Sequence, residues 1–164
     1  MRGTKDPAIN IQSFINRIPF AKEIGVSVVD ARLGFVRLKL KPKPSLLNHF
    51  GTYQAGVVFT IFEIAGGALC ATFLDLSKNF LITKSSEIRF NEATGSELFA
   101  EATLEVEDVS RVLSNLMTKK KMHLKIPVVV KSGTGEVIAD GHNDYYLRVG
   151  IPQVFVQGRN MPQA

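Results

Sequence analysis

The chain has 164 residues, enough for one domain with a sizeable core, and its 45% apolar and 21% charged residues exclude an intrinsically disordered protein. A single cysteine excludes an intramolecular disulfide and is typical of a reducing compartment. The net charge of +5 fits an anionic ligand but equally fits solubility alone. The N-terminal MRGTKDPAIN has no apolar stretch and therefore no visible secretory signal. We expect a cytoplasmic protein with a single domain over residues 1–164.

The first predicted elements are a short helix and two strands. INIQSFINRI has apolar residues at helical spacing, so residues 1–18 are interpreted as a helical lead-in. EIGVSVVDA and GFVRLKLK predict two strands, the second with apolar and basic residues on opposite faces. KPKPS predicts a loop, because its two prolines cannot continue a strand ladder.

The next segment, FGTYQAGVVFTIFEIAGGALCATFL at residues 50–74, is apolar almost throughout and carries one charge, Glu63. It is too long for a strand and predicts a helix that protein surrounds on most sides. Its length would also suffice for a membrane span. We expect no membrane association, because Glu63 would lie near the bilayer centre and the flanking strand patterns need a core of their own.

The second half of the chain returns to strand patterns. FLITKSSEIRF and ELFAEATLEVE predict two strands, and DVSRVLSNLMTKKK predicts a helix over residues 108–118 with Asp108 as its cap. KMHLKIPVVVKS and EVIADGHNDYYLRV predict a closing hairpin around the turn GTG, with Pro127 at an edge or bulge. Residues 150–164 form a tail without a clear pattern. One long helix with a mainly antiparallel sheet curled around it is an α+β arrangement.

The stretch LLNHFGTYQAGVVFTIFE resembles the loop-and-helix signature of the hotdog-fold acyl-CoA thioesterases, the phenylacetyl-CoA thioesterase type in particular. That family shows Asn, then Gly-Thr, then His-Gly-Gly, then an acid on the central helix. The matching positions are Asn48, Gly51-Thr52, Gln54 in place of the His, Ala55-Gly56 and Glu63. The resemblance covers about residues 19–149 and extends to SSEIRFNEATGSELFAEATLE, similar to the family's third and fourth strands. It implies a hotdog fold, in which a curved, mostly antiparallel sheet wraps a long central helix.

Two departures from the family pattern matter. Gln54 removes a titratable group but keeps an amide that can form hydrogen bonds. FNEATG lacks the basic residue and the proline often found there, which puts a coenzyme A contact at Glu92 in doubt. The helix predicted over 108–118 resembles a less characterised branch, whose members are mostly presumed thioesterases.

Thioester hydrolysis needs a nucleophile and hydrogen-bond donors for the developing oxyanion. Glu63 is the predicted base or nucleophile, and the family's supporting hydroxyl corresponds to Thr83. Ala55 and Gly56 would lie at a helix N-terminus, where free N–H groups and the helix dipole favour an anion. Asn48 and Gln54 are the predicted polar positioners, with Asn48 beside the water or the carbonyl oxygen.

The spacing along the helix predicts an oligomer. Ala55 and Glu63 are eight residues apart, which is about 12 Å along one helix. Both cannot act within roughly 3 Å of one carbonyl unless they come from different chains. We therefore expect at least a homodimer, or a homotetramer, with two composite sites per dimer, as the resemblance also implies. The expected partner is an acyl-CoA substrate, with coenzyme A as part of that substrate and no separate cofactor or metal.

Two other functions stay open. The first is a non-catalytic acyl-CoA-binding or sensing protein on the same fold, which the missing His favours. The second is a 3-hydroxyacyl thioester dehydratase that uses His49 and Glu63. A structural alternative for Glu63 itself is an ion pair with a lysine or arginine across the sheet.

The remaining candidates are interpreted mainly as structural. These are His123 and His142, the polar strand face with Asp140 and Asp144, the buried Cys70, and Gly66-Gly67 as a close contact at a dimer axis. The lysines at 41, 43 and 119–121 are interpreted as a solvated face, or as an attraction for the phosphates of coenzyme A. No nucleic-acid partner is expected, because no binding motif accompanies these charges.

Overall fold

The computed structural model describes residues 7–153. The helices are α1 (Pro7–Ile15), α2 (Pro19–Ile24), α3 (Ala55–Cys70) and α4 (Val106–Lys119), with a 3-10 turn at Pro44–Leu46. The strands are β1 (Ser27–Arg32), β2 (Phe35–Leu40), β3 (Asn79–Phe90), β4 (Leu98–Thr103), β5 (Lys121–Ser132) and β6 (Val137–Val149). The first six residues of the predicted lead-in and most of the predicted tail, from residue 154 onward, lie outside the described residues.

The six strands form one curved antiparallel sheet in the order β1-β2-β4-β5-β6-β3, so that β1 and β3 are its two edges. Helix α3 lies along one face of this sheet and contacts β2, β4, β5, β6 and β3. Val36, Leu38 and Leu40 of β2 share the face toward the helix and are fully buried, as the alternating pattern predicts. This is the α+β arrangement that the sequence predicts.

Helix α3 is buried on most of its circumference but has one open stripe. The stripe residues recur every three or four positions, so they share one face of the helix. They are Gly56, Phe59, Thr60, Glu63 and Gly67. The prediction of a helix surrounded by protein is therefore correct except along the stripe that carries its one charge. Within residues 7–153, no helix has the length and apolar character needed to cross a membrane.

The boundary between β4 and α4 differs from the prediction. The apolar alternation continues through Leu104 and Val106, but β4 ends at Thr103 and α4 begins at Val106, so the N-cap position is Glu105 and not Asp108. The reason is tertiary, because β2 begins at Phe35, opposite Thr103, and offers no further partner. The N–H of Leu104 instead donates to the Gly34 carbonyl at 2.8 Å.

The lead-in also differs, since it contains two helices. Pro19 begins α2, where proline is favoured because its missing N–H would be unpaired anyway. Glu23 and Ile24, which the pattern predicts as the start of a strand, belong to α2. The helix ends at Ile24, and Gly25 follows as its C-cap with φ 88°. Pro127 lies just beyond the last β4–β5 pair, Ala102 with Val128, so its predicted edge position is confirmed.

Candidate active site

The predicted site residues form two separate groups along α3. Asn48, Gln54, Ala55 and Gly56 lie at or before the N-terminus of the helix, whereas Glu63 lies in its second half. The pair Ala55 and Glu63 share one helix and are about 12 Å apart along its axis. The two groups therefore do not converge within one chain.

The N-terminus of α3 offers two free backbone donors. Gln54 is the N-cap residue, and its carbonyl accepts the N–H groups of Val57 at 2.9 Å and Val58 at 3.3 Å. The N–H groups of Ala55 and Gly56 have no acceptor among residues 7–153, and both residues are exposed. An anionic oxygen placed there would meet two N–H groups and the positive end of the helix dipole.

The loop before the helix is braced by Asn48. The Asn48 Oδ1 accepts the N–H groups of Phe50 at 2.9 Å and Thr52 at 3.3 Å, and its Nδ2 donates to the Thr52 hydroxyl at 3.0 Å. The carboxamide thus holds its own loop in the isolated chain. Its predicted contact with a water or a carbonyl stays a prediction.

The same loop is held from the other side by the connection between β3 and β4. The Tyr53 N–H donates to the Thr94 carbonyl at 2.9 Å. A Cβ at Gly95 would lie only 2.5 Å from the Gly51 carbonyl oxygen, so the two loops approach too closely for a side chain there. The N-terminus of α3 is therefore fixed by contacts on both sides.

The second group is built around the half-buried carboxylate of Glu63. The Thr83 hydroxyl on β3 donates a hydrogen bond to the Glu63 Oε1. No lysine, arginine or histidine among the described residues forms an ion pair with Glu63, so the structural ion-pair alternative is not observed in the chain. The Glu63 carboxylate therefore has a hydroxyl donor and no cationic partner among the described residues, and it lies on the open face of the helix.

Strand β6 supplies contacts to the same part of α3 that the sequence analysis missed. The Tyr145 hydroxyl donates to the Glu63 carbonyl at 2.6 Å, and the Asn143 Nδ2 donates to the Phe62 carbonyl at 3.3 Å. Both side chains are fully buried. The signal was present, since alternation along DGHNDYYLRV places Asn143 and Tyr145 on the face opposite the charged residues.

The predicted dimer contact at Gly66 is wrong, because Gly66 faces β6 of its own chain. A Cβ on Gly66 would lie 2.5 Å from the Tyr145 hydroxyl oxygen. Gly67 lies on the open stripe, with only the Leu81 Cδ2 within reach of an added Cβ, at 3.9 Å. Its predicted place at a dimer axis stays a prediction.

The other candidates are three histidines, of which His49 lies next to Asn48 in the loop before α3 and the other two lie on β5 and β6. His49 is exposed, with its ring 3.9 Å from that of Phe50, and it does not contact Glu63 in the chain. On the outer face of the sheet, His123 pairs with Asp144 at 3.1 Å, and the His142 Nε2 lies 3.9 Å from Glu87.

The remaining candidates are the Cys70 thiol and the side chains that could bind a metal. Cys70 is fully buried, as predicted, and burial raises the pKa of its thiol to about 12. In the part of the chain that the structure describes, no three His, Cys, Asp or Glu side chains are grouped as metal ligands would be.

Comparison with known proteins identifies both a family and a fold. The family model "Domain of unknown function (DUF4442)" matches residues 8–147. No curated protein matches the chain. Among solved structures, PA5026 of Pseudomonas aeruginosa, a protein of unknown function described as a probable thioesterase, is 27% identical. The alignment covers 85% of this chain and 93% of that chain, with a TM-score of 0.76.

Two further neighbours are more distant in sequence. A thioesterase family protein from Silicibacter pomeroyi is 14% identical, with 88% of this chain and 99% of that chain covered and a TM-score of 0.71. The E. coli PaaI protein from the phenylacetic acid degradation operon is 14% identical, with 88% and 94% covered and a TM-score of 0.67. The neighbours have the hotdog fold, and so has this chain.

Proposed function

The chain belongs to the DUF4442 family, and from this membership, its fold and its site we propose that it hydrolyses an acyl-CoA or acyl-carrier thioester at a site shared between two subunits. The observation that carries the proposal is the carboxylate of Glu63, which has a hydroxyl donor but no cationic partner among the described residues. A buried or half-buried carboxylate is costly unless it is compensated or used. The reaction class is supported by the structural neighbours described as a probable thioesterase and as a thioesterase family protein.

In the proposed reaction, the carboxylate of Glu63 takes a proton from a water that attacks the thioester carbonyl, or attacks that carbon itself to form an anhydride that a water then hydrolyses. The carbonyl oxygen becomes an oxyanion and is stabilised by the N–H groups of Ala55 and Gly56 from the other subunit. The C–S bond then breaks, and the thiolate leaves without strong assistance because thiols have a pKa near 8.5. Thr83 orients the carboxylate, and Asn48 and Gln54 position the substrate or the water.

The surface around Glu63 supports a second copy of the chain as the source of the two N–H donors. The open stripe of α3 lies beside β3, because Thr83 contacts Glu63 and Leu81 lies near Gly67. Strand β3 is an edge strand, so the outer backbone groups of its residues 81–90 have no strand partner among the described residues. A two-fold contact that covers both the stripe and the edge would bring each N-terminus of α3 toward the partner's Glu63.

The same fold without catalysis is the second candidate. Gln54 in the position of the family His, and the engagement of the Asn48 carboxamide within its own loop, favour a protein that binds acyl-CoA without turnover. A dehydratase that uses His49 receives less support, since that ring contacts only Phe50 in the chain.

The proposal is tested by thiol release from short, medium, long and aromatic acyl-CoAs with wild type and Glu63→Gln. Removal of a group with this role should lower turnover about 100-fold or more. Glu136→Gln, an exposed carboxylate in the β5–β6 turn, is the matched control and should leave turnover unchanged. Cys70 is buried and will not react with the thiol reagent in the folded protein.

The outcomes separate the candidates. Equal release by wild type and Glu63→Gln would exclude Glu63 from the mechanism. No release from any substrate, together with measurable acyl-CoA binding, would favour the binding protein over the thioesterase.

A further inference from the structure

Two side chains of β6 hold the main chain of α3 at the position of Glu63. The Asn143 Nδ2 reaches the Phe62 carbonyl at 3.3 Å, and the Tyr145 hydroxyl reaches the Glu63 carbonyl at 2.6 Å. In an α-helix these two carbonyls accept the N–H groups of Gly66 and Gly67. A carbonyl oxygen has two lone pairs, so each can accept a second donor from the sheet.

This contact depends on the absence of a side chain at residue 66. A Cβ there would lie 2.5 Å from the Tyr145 Oη, 2.9 Å from its Cε2 and 3.0 Å from the Asn143 Nδ2. The φ angle of Gly66 is not in the left-handed region, so the backbone conformation does not require glycine. Gly66 is therefore required by the close approach of β6 and not by its own geometry.

The two donors are themselves held in place. The Asn143 Oδ1 accepts the hydroxyl of Ser86 on β3 at 2.6 Å, so both ends of the carboxamide are paired. Burial, and secondly the charge of Glu63, raise the pKa of Tyr145 well above its usual range, so the phenol stays protonated and remains a donor. The nearby Gly67 N–H and Thr83 hydroxyl act on this pKa in the opposite direction. The Tyr145 and Thr83 hydroxyls both donate to Glu63, one to its carbonyl and one to its carboxylate. Tyr145, Thr83 and Glu63 thus form one connected group.

We propose that Tyr145 is a positioning residue for the thioesterase reaction: it fixes the main chain of α3 at Glu63, so that the carboxylate meets the Thr83 hydroxyl and the substrate in one orientation. The inference rests on the proposed function. The position of the Glu63 carboxylate depends on the position of its Cα. A misplacement of about 1 Å in a catalytic group can lower a rate by up to about 100-fold. A fixed carbonyl on the same residue limits that movement.

The test is Tyr145→Phe, which removes one oxygen atom and keeps the ring. We expect kcat to fall about tenfold with KM changed less than twofold, because the substrate does not touch the phenol. The matched control is Tyr146→Phe, the same change one residue along and on the outer face of the sheet, where the ring packs against His123. It should leave both constants unchanged.

The double variant Glu63→Gln/Tyr145→Phe separates positioning from general stability. If Tyr145 acts through Glu63, the second substitution costs nothing further once the carboxylate is gone. A full additional tenfold loss in the double variant, or wild-type kcat in Tyr145→Phe alone, would overturn the proposal.

Amide hydrogen exchange tests the contact without any reliance on activity. The Gly67 amide should exchange about tenfold faster in Tyr145→Phe than in wild type and unchanged in Tyr146→Phe, because the Glu63 carbonyl region loses its anchor. Faster exchange in a protein that hydrolyses no thioester would retain the anchoring role and overturn only the proposed function. Unchanged exchange would overturn the anchoring role itself.

Discussion

The backbone N–H of Ala55 is the donor on which the proposed oxyanion site depends most, and it cannot be removed by truncating a side chain. Ala55 is the first helical residue of α3, a position that tolerates proline because the N–H there has no helical partner. The preceding residue, Gln54, has φ −66° and ψ 137°, which is the extended conformation that a following proline requires. Proline at residue 55 should therefore remove the N–H donor and leave the conformation of the helix unchanged.

We expect Ala55→Pro to lower kcat by about 100-fold to 1,000-fold, the usual effect of losing one oxyanion donor. The unfolding temperature should stay the same or rise slightly, since proline restricts the unfolded chain. Steady-state kinetics and thermal unfolding measure the two effects on one preparation.

The control for Ala55→Pro is Val106→Pro, the same kind of change at the first residue of α4. Glu105 before it is also extended, with φ −63° and ψ 150°, so the backbone accepts proline equally well. This variant should keep full activity. Wild-type kcat in Ala55→Pro would exclude the Ala55 N–H as a donor.

Thr83 is a second residue whose role can be tested on its own. Thr83→Val keeps the volume and removes the donor to Glu63, and we expect kcat to fall about tenfold to 100-fold, because a hydrogen bond to a charged group is among the stronger ones. Thr83→Ser should restore most of the rate. Thr118→Val, which removes an exposed hydroxyl on α4, should change nothing.

How far the sequence predicts the site follows from the residues themselves. Glu63 and the free donors at Ala55 and Gly56 follow from polarity and helix position, which are local properties. Tyr145 and Asn143 could be assigned to the inner face of β6 by alternation, but not to the carbonyls of α3. That contact depends on how helix and sheet pack, and no spacing within one element contains this information.

At the scale of elements, the period of the apolar residues identified the long helix and the strands, while boundaries set by tertiary partners were misplaced. β4 ends where β2 no longer provides a partner, although the apolar alternation continues to Val106. Likewise Glu23 and Ile24, which the pattern predicts as strand, belong to α2, because the helix continues until Gly25. The end of a strand or of a helix therefore depends on the neighbouring parts of the fold.

The open stripe of α3 gives an element-scale prediction. Phe59 lies one turn before Glu63 on the same face, and its side chain is 38% exposed in the isolated chain. Phe59→Arg should give a monomer, because an interface that covers the stripe would then bury an unpaired charge. Thioester hydrolysis should fall to the level of Glu63→Gln. Analytical ultracentrifugation measures the first effect and thiol release the second.

Phe20→Arg is the control for Phe59→Arg. Phe20 is more exposed, at 57%, but lies on α2 and outside the stripe, so this variant should remain dimeric and active. A dimer of unchanged stability in Phe59→Arg would place the interface elsewhere on the molecule.

At the scale of the whole molecule, the proposed composite sites predict complementation between inactive variants. In the proposed dimer, each site takes the Ala55 N–H from one subunit and the Glu63 carboxylate from the other. In a mixed dimer of Ala55→Pro and Glu63→Gln, one site therefore carries both substitutions and the other carries neither. After random exchange of subunits about half of the dimers are mixed, so about a quarter of the wild-type sites should be restored.

The measurement is thiol release after the two variants are mixed under conditions that allow subunit exchange. Each variant alone, treated in the same way, is the control. Activity that stays at the sum of the two separate variants, despite demonstrated exchange, would rule out a site that two subunits share.

The contact between Gly66 and Tyr145 has a consequence for the history of the protein. An alanine at residue 66 beside Tyr145 would place its methyl group 2.5 Å from the phenol oxygen, so one of the two side chains would have to shift. A smaller residue at position 145, arising first, would leave a cavity and an unanchored carbonyl but no overlap with the phenol. Of the two mutational routes to alanine at residue 66, the one that changes residue 145 first therefore avoids this overlap.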